Sequence, residues 1–376
     1  MAVAVAVIYL PQALLADMQT DLRVPTATAG WIPAAVQVGY AVGIFLLVPL
    51  ADRVHPSRQV TVQALLLAGA LLLTAAMPGP MTVAAGFAAV GLVANIAQVI
   101  ISASGSLAPP GKVPATVAVI VGSLGVGIFG GRIIAGLLVT SLGWRGVLVV
   151  FAVLVLSMVF PARAALRPAT VPAPNARYGR LLLSALRSVR RSRVTAQSVI
   201  MQFFAFAAFN SVWAVVVLHL SGLGWSAGAA GLFGGVGLAA APLSPAVYRR
   251  LERWGTSTIA GVFSLISLIA LAAIAFTAGV TAAFAVAVFL VSAANQFIQT
   301  ANQQRVLEDN AGHPAPANAM FMVGVFLGGA TGSFLGITAF EFGGMPVVGA
   351  LGAVLMLLSA LVWALSRLPA RSRRTS

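Results

Sequence analysis

Residues 59–111 read QVTVQALLLAGALLLTAAMPGPMTVAAGFAAVGLVANIAQVIISASGSLAPPG, 53 residues without a single Asp, Glu, Lys or Arg. A helix that crosses a bilayer needs about 20 apolar residues, so this stretch is too long for one crossing and long enough for two. Met77-Pro78-Gly79-Pro80 divides it, because Pro and Gly interrupt a helix. The apolar character is continuous and does not alternate residue by residue, which predicts spanning helices and not barrel strands.

Working outward, the same reading recurs. Charge-poor windows cover 1–16, 24–51, 113–141, 146–160, 194–248, 254–304, 314–340 and 344–364. The windows 194–248 and 254–304 divide at Ser221-Gly222-Leu223-Gly224 and near Thr277-Ala278-Gly279. Residues 1–16 carry Gln12 and no basic leader, and are read as a first span and not a signal peptide. The count is twelve: an all-α membrane protein of two six-helix bundles, 1–160 and 194–366, joined by a basic linker over 161–193 and ending in a basic tail over 367–376.

Composition agrees. Of the 376 residues 60% are hydrophobic and 8% charged, against about 25% charged in a soluble domain. That excludes a soluble enzyme. The chain has no Cys, hence no disulfide framework and no thiolate chemistry. No set of residues has metal-ligand spacing, and Gly125-x-Gly127-x-x-Gly130 lies in a span, where the dinucleotide fingerprint has no βαβ unit to serve. No metal and no cofactor are expected.

The net charge of +15 is distributed by side. With the N-terminus in the cytoplasm, 19 of the 22 basic residues fall on the cytoplasmic side, including the linker arginines and Arg367 to Arg374 of the tail. The expectation is a multi-pass protein of the cytoplasmic membrane with both termini inside. The positive charge then reports topology and membrane lipid, and no nucleic acid is expected as partner. In the linker, Pro168, Pro172 and Pro174 extend the chain, and 180–193 reads either as a basic helix lying on the leaflet or as a solvated tether.

The halves echo each other. Gly30-Trp31 returns as Gly224-Trp225, and Pro49-Leu50 as Pro242-Leu243. Pro114, Ala115, Gly122 and Gly130 match Pro316, Ala317, Gly324 and Gly332 at one offset of 202. Parallel six-helix repeats are a transporter architecture, with the site near midplane between them.

After the second span, Leu50-Ala51-Asp52-Arg53 resembles the loop signature of the major facilitator superfamily, although Val48 and His55-Pro56 depart from it. Gly122, Gly130 and Gly131 of the fifth span resemble the antiporter-branch motif, with Val126-Gly127 in place of its Gly-Pro. Gly143-Trp144-Arg145 is similar to the family's exit from that span. The resemblance is nearest to the twelve-span bacterial efflux permeases. It implies the fold of that superfamily, alternating access, and a conformational latch at Asp52, Arg53 and Arg58. The plain reading of that loop is a turn with stop-transfer charges.

Polar side chains in the spans gather on every third helix. Gln12 lies on the first, Asn95 and Gln98 on the fourth, Gln202 and Asn210 on the seventh, and Asn295, Gln299 and Asn302 on the tenth. Tyr40 and Trp213 add rings. These ten residues are the candidate lining of a central cavity for a drug-like or sugar-like small molecule. The alternative for each amide is helix-to-helix hydrogen bonding.

Arg132 is the charge inside a span, and Asp17 at the outer end of the first span is its candidate partner, with lone outward snorkelling as the alternative. If protons drive transport, this pair is the candidate coupling site. The overall expectation is a monomeric secondary transporter, exporting a small organic solute with proton coupling. Facilitative or import transport, a membrane enzyme and a membrane sensor are the rival readings. The enzyme would need convergent acid, base or metal ligands in the spans, and none is present.

Overall fold

The computed structural model describes residues 1–107, 123–169, 178–240, 247–248, 250–312 and 314–367, and among them there is no strand. The first span is a broken helix, Ala2–Ala13 and Leu15–Leu22, bent by 53°. Pro11 sits three residues before the break, where its ring and missing N–H disrupt the ladder. The second span is Thr26–Ala51 and the third Pro56–Ala75. The fourth is Pro80–Val93 and Ile96–Leu107, interrupted at Asn95.

Gly131–Leu166 and Pro314–Arg367 each run as one helical stretch of 36 and 54 residues. At 1.5 Å per residue they would be about 54 and 80 Å long, against a hydrocarbon core of about 30 Å. Each folds back at glycine. Gly143 takes φ 63° and Gly344 φ 66°, backbone that a side chain resists, so each stretch is two antiparallel spans. These are the fifth and sixth, and the eleventh and twelfth.

The seventh span is Arg193–Trp213 continued by Val216–Gly222. The eighth is Ala227–Leu232 and Gly234–Ala240, the ninth Thr256–Thr277, and the tenth Thr281–Asp309. With the pairs counted separately the spans are twelve. The third, sixth, ninth and twelfth expose Leu65, Phe160, Leu265 and Leu361, the faces that meet lipid. In the linker, Tyr178–Arg191 is a helix whose Ala185 is buried. The Tyr178 hydroxyl donates to the Leu46 carbonyl of the first half.

Glycine lets the spans within a half touch backbone to backbone. A Cβ on Gly127 or Gly131 would collide with Ala2 or Ala6 of the first span. A Cβ on Gly328 or Gly332 would collide with Phe203 or Ala207 of the seventh. All four residues of the first set lie 201 before their counterparts. The sequence offset of 202, which pairs Gly130 with Gly332, is thereby corrected: packing pairs Gly131 with Gly332. The reason is local. Val126–Gly130 is a π-helix, which accommodates one extra residue in the fifth span and shortens the offset by one beyond it. The matches at Pro114, Ala115, Gly122 and Pro242-Leu243 lie outside the described residues, as does Lys112.

Candidate functional site

Two amides of the first half meet two polar groups of the second where the bundles touch. Gln12 Nε2 donates to Asn210 Oδ1 at 3.0 Å and to Ser333 Oγ at 3.0 Å. Gln37 Nε2 donates to the same pair, at 3.3 and 2.9 Å. The four side chains form a square, each buried from solvent. Asn210 Nδ2 is held by the Phe206 carbonyl one turn back, 3.2 Å away, which aims its oxygen at the two glutamines.

Arg132 docks on this square. Its Nη2 donates to Gln12 Oε1. Its guanidinium carbon stands 4.9 Å from the Tyr9 ring centre, 4.7 Å from Trp213 and 5.6 Å from Phe129. Ring faces attract a cation by about 0.5–2 kcal/mol each. Trp213 is held in turn by its Nε1 donating to Ser292 Oγ at 3.0 Å. Arg132 Nε and Nη1 and Gln37 Oε1 are buried with no protein partner, groups that cost about 1–3 kcal/mol each if left so. Beside them is a cavity of about 10 Å³, water-sized, lined by residues that include Gln12, Arg132, Trp213 and Gly231.

The offset of 201 relates the two sides of this cluster. Tyr9 corresponds to Asn210, Gln12 to Trp213 and Arg132 to Ser333. Three equivalent positions of each half therefore converge, carrying different side chains on the two sides.

From this square toward the end that the charge count places outside, the halves are closed on each other. Tyr40 and Phe326 rings lie 4.3 Å apart, and Trp31 and Phe334 rings 4.6 Å apart. Glu341 Oε2 accepts from the Ala27 backbone at 3.0 Å. At Gly329 the approach is closest: an added Cβ would stand 1.9 Å from Gln37 Oε1. Gly136 and Gly231 provide the matching close crossing of the fifth and eighth spans.

The structure departs from the expected pair of Asp17 and Arg132. Asp17 Oδ2 accepts from the Trp144 backbone N–H at 2.7 Å, and Asp21 accepts from Trp144 Nε1 at 3.0 Å and forms an ion pair with Arg145. The acids at the end of the first span hold the Gly143-Trp144-Arg145 turn. Arg132 lies one turn or more deeper, level with Gln12.

The other expected cavity residues are dispersed. Gln12, Asn210 and Trp213 join the cluster. Asn95 does not: its Oδ1 accepts from Gln63 Nε2 at 2.7 Å and its Nδ2 donates to Leu92 O at 2.8 Å, at the break of the fourth span. It joins helices within one half, because the interrupted helix leaves a carbonyl to satisfy. Gln98 is hydrogen-bonded to the Tyr40 hydroxyl. Gln202 Oε1 accepts from Asn302 Nδ2 at 3.4 Å inside the second half, leaving Gln202 Nε2 and Asn302 Oδ1 unpartnered. Asn295 is buried with Oδ1 unpartnered, and Gln299 is half-buried. Of the expected latch, the Asp52 side chain lies outside the described residues, Arg53 is exposed, and Arg58 is exposed on a surface cavity.

Gln37, Ser333, Ser292 and the rings of Tyr9 and Phe129 complete the cluster and were not among the expected site residues. Gln37 had a signal. It is the one amide in the otherwise apolar helix Trp31–Leu47, and a polar group in hydrocarbon requires a partner. The serines had none, because a hydroxyl can bond its own helix.

A family model described as "Major Facilitator Superfamily" matches residues 1–316. The chain is 30% identical over 367 residues to the uncharacterized transporter YgaY of Escherichia coli O157:H7, covering 96% of this chain and 92% of that one. It is 28% identical over 357 residues to the chloramphenicol resistance protein of Streptomyces lividans, covering 92% and 90%. Among solved structures, a mutant of the nucleoside transporter NupG aligns with TM-score 0.77 at 14% identity, over 97% of both chains. The E. coli fucose:proton symporter FucP aligns with TM-score 0.62 at 15% identity, over 98% of both chains.

Proposed function

The chain belongs to the major facilitator superfamily and is a multi-pass membrane transporter, not an enzyme; from that premise we propose that it exports a small amphipathic organic solute across the cytoplasmic membrane by alternating access. The observation that carries this reading is the square of Gln12, Gln37, Asn210 and Ser333 with Arg132 beside it. Four side-chain hydrogen bonds join the halves there, and all four can be exchanged for bonds to solute or water. A drug-sized pocket occupies about 300–1,000 Å³, so binding requires the halves to part at this point.

The lining selects the solute class. Arg132 has two unused donor groups and a charge compensated by rings alone. It favours a neutral or anionic solute rich in hydrogen-bond acceptors, with an aromatic or apolar body for Trp213 and Tyr9. It repels cations. Export is favoured by the relationship to a chloramphenicol resistance protein.

Purified protein in liposomes is expected to move chloramphenicol, a neutral acceptor-rich aromatic, and to exclude ethidium, an aromatic cation. Flux of ethidium without chloramphenicol overturns the solute class and leaves transport standing.

A proton gradient is the proposed drive. Facilitative movement is the second reading, favoured by Asp17 bonding to Trp144 and not to Arg132. Chloramphenicol flux that ignores an imposed pH gradient selects it.

A further inference from the structure

At the opposite end of the first bundle, a cavity of about 490 Å³ opens between the start of the third span and the end of the sixth. His55, Ser57, Arg58, Thr61, Val62, Arg163 and Arg167 line it, and none of these is acidic. Ser57 Oγ donates to the Arg163 carbonyl at 3.2 Å, which ties the two helices together at its floor. Three guanidinium groups facing one space repel each other unless an anion lies between them, and Arg forks match phosphate oxygens in pairs.

The helices below this cavity carry a second pattern. On the third span the exposed Val62, Leu65, Leu66, Leu72 and Leu73 form one stripe, and Arg58 is its next member one turn above Val62. On the sixth, Val149, Val153, Leu156 and Phe160 form another, and Arg163 and Arg167 continue it at spacings of three and four. Each apolar stripe spans eleven residue steps, about 16 Å, close to the depth of one leaflet's hydrocarbon. The basic heads of both stripes meet in the cavity.

We propose that this is a binding site for one anionic phospholipid, its phosphate held by Arg58, Arg163 and Arg167 with His55, and its acyl chains lying along the two stripes. A soluble phosphate would explain the arginines and leave the stripes unused. The site lies at the end of the molecule that collects the basic residues, where anionic headgroups draw cations.

The test is native mass spectrometry of protein extracted from membranes of phosphatidylglycerol and phosphatidylcholine in equal parts. Wild type is expected to retain one phosphatidylglycerol. Arg58→Gln with Arg163→Gln is expected to lower that retention about tenfold, at roughly a kcal/mol per arginine. Arg187→Gln with Arg190→Gln removes equal charge from the linker helix and is expected to change nothing. Equal retention of both lipids by wild type, or equal loss in both variants, overturns the proposal. Displacement of the lipid by millimolar inorganic phosphate overturns it in favour of a soluble anion. Should the double variant misfold, wild type with a phosphatidylglycerol carrying a photoreactive acyl chain decides. Labelling within 62–73 and 149–160 supports the site, and labelling elsewhere refutes it.

Discussion

Asn210 is the residue on which the two halves depend most. Its one oxygen accepts from Gln12 and Gln37 together, so Asn210→Ala strands two buried donors. The expected loss is about 1–3 kcal/mol per stranded group, read as a lower Tm in detergent with solute flux falling in parallel. Gly329 gives a sharper test. Gly329→Ala puts a methyl where Gln37 Oε1 stands and should impair closure and flux, and Gln37→Ala in the same chain vacates the space and should restore closure. No recovery of closure in the double variant, read by labelling of a cysteine placed at Trp31, means the clash is not what matters there. Asp17→Asn keeps an acceptor for the Trp144 N–H. Its flux should match wild type; collapse would restore a charge role to Asp17.

At the scale of elements, glycine position decides which helices approach. Gly332 faces the Ala207 carbonyl, while Gly69 of the third span has open space around its missing Cβ. Gly332→Ala is expected to cost about 1–3 kcal/mol through overpacking, and Gly69→Ala nothing, in thermal unfolding of the purified protein. The π-helix over Val126–Gly130 belongs to this scale as well. One residue accommodated there turns everything after it by about 100° relative to a continuous α-helix, and it places Arg132 opposite Ser333 in the repeat. A motif comparison with a constant offset misses that by one residue.

For the whole molecule, the described conformation is shut at the end bearing Asp21 and Glu341. Transport by alternating access requires that end to open in turn. A Cβ placed on Gly30 would lie 3.3 Å from the Cβ of Ile337, within about the reach of a disulfide. The chain contains no cysteine, so Gly30→Cys with Ile337→Cys introduces a single possible bridge. Oxidation is expected to stop flux and reduction to restore it. Flux that persists in the oxidised protein would mean that these two spans never part.

The class of this protein was legible without coordinates, because hydrocarbon imposes a length and a polarity on each span that show directly in the order of residues. The twelve crossings, the six-plus-six repeat and the sidedness of the arginines follow from that. Gln12, Asn210 and Trp213 were legible as well, since amides and an amphipathic ring in hydrocarbon must meet something. What they meet was decided only in three dimensions. Asn95 bonding Gln63, Arg132 bonding Gln12 and not Asp17, and Gln37 closing a square with Ser333 depend on how helices rotate and cross. A hydrogen bond has a reach of about 3 Å, and residues 120 to 321 positions apart come within it by packing alone.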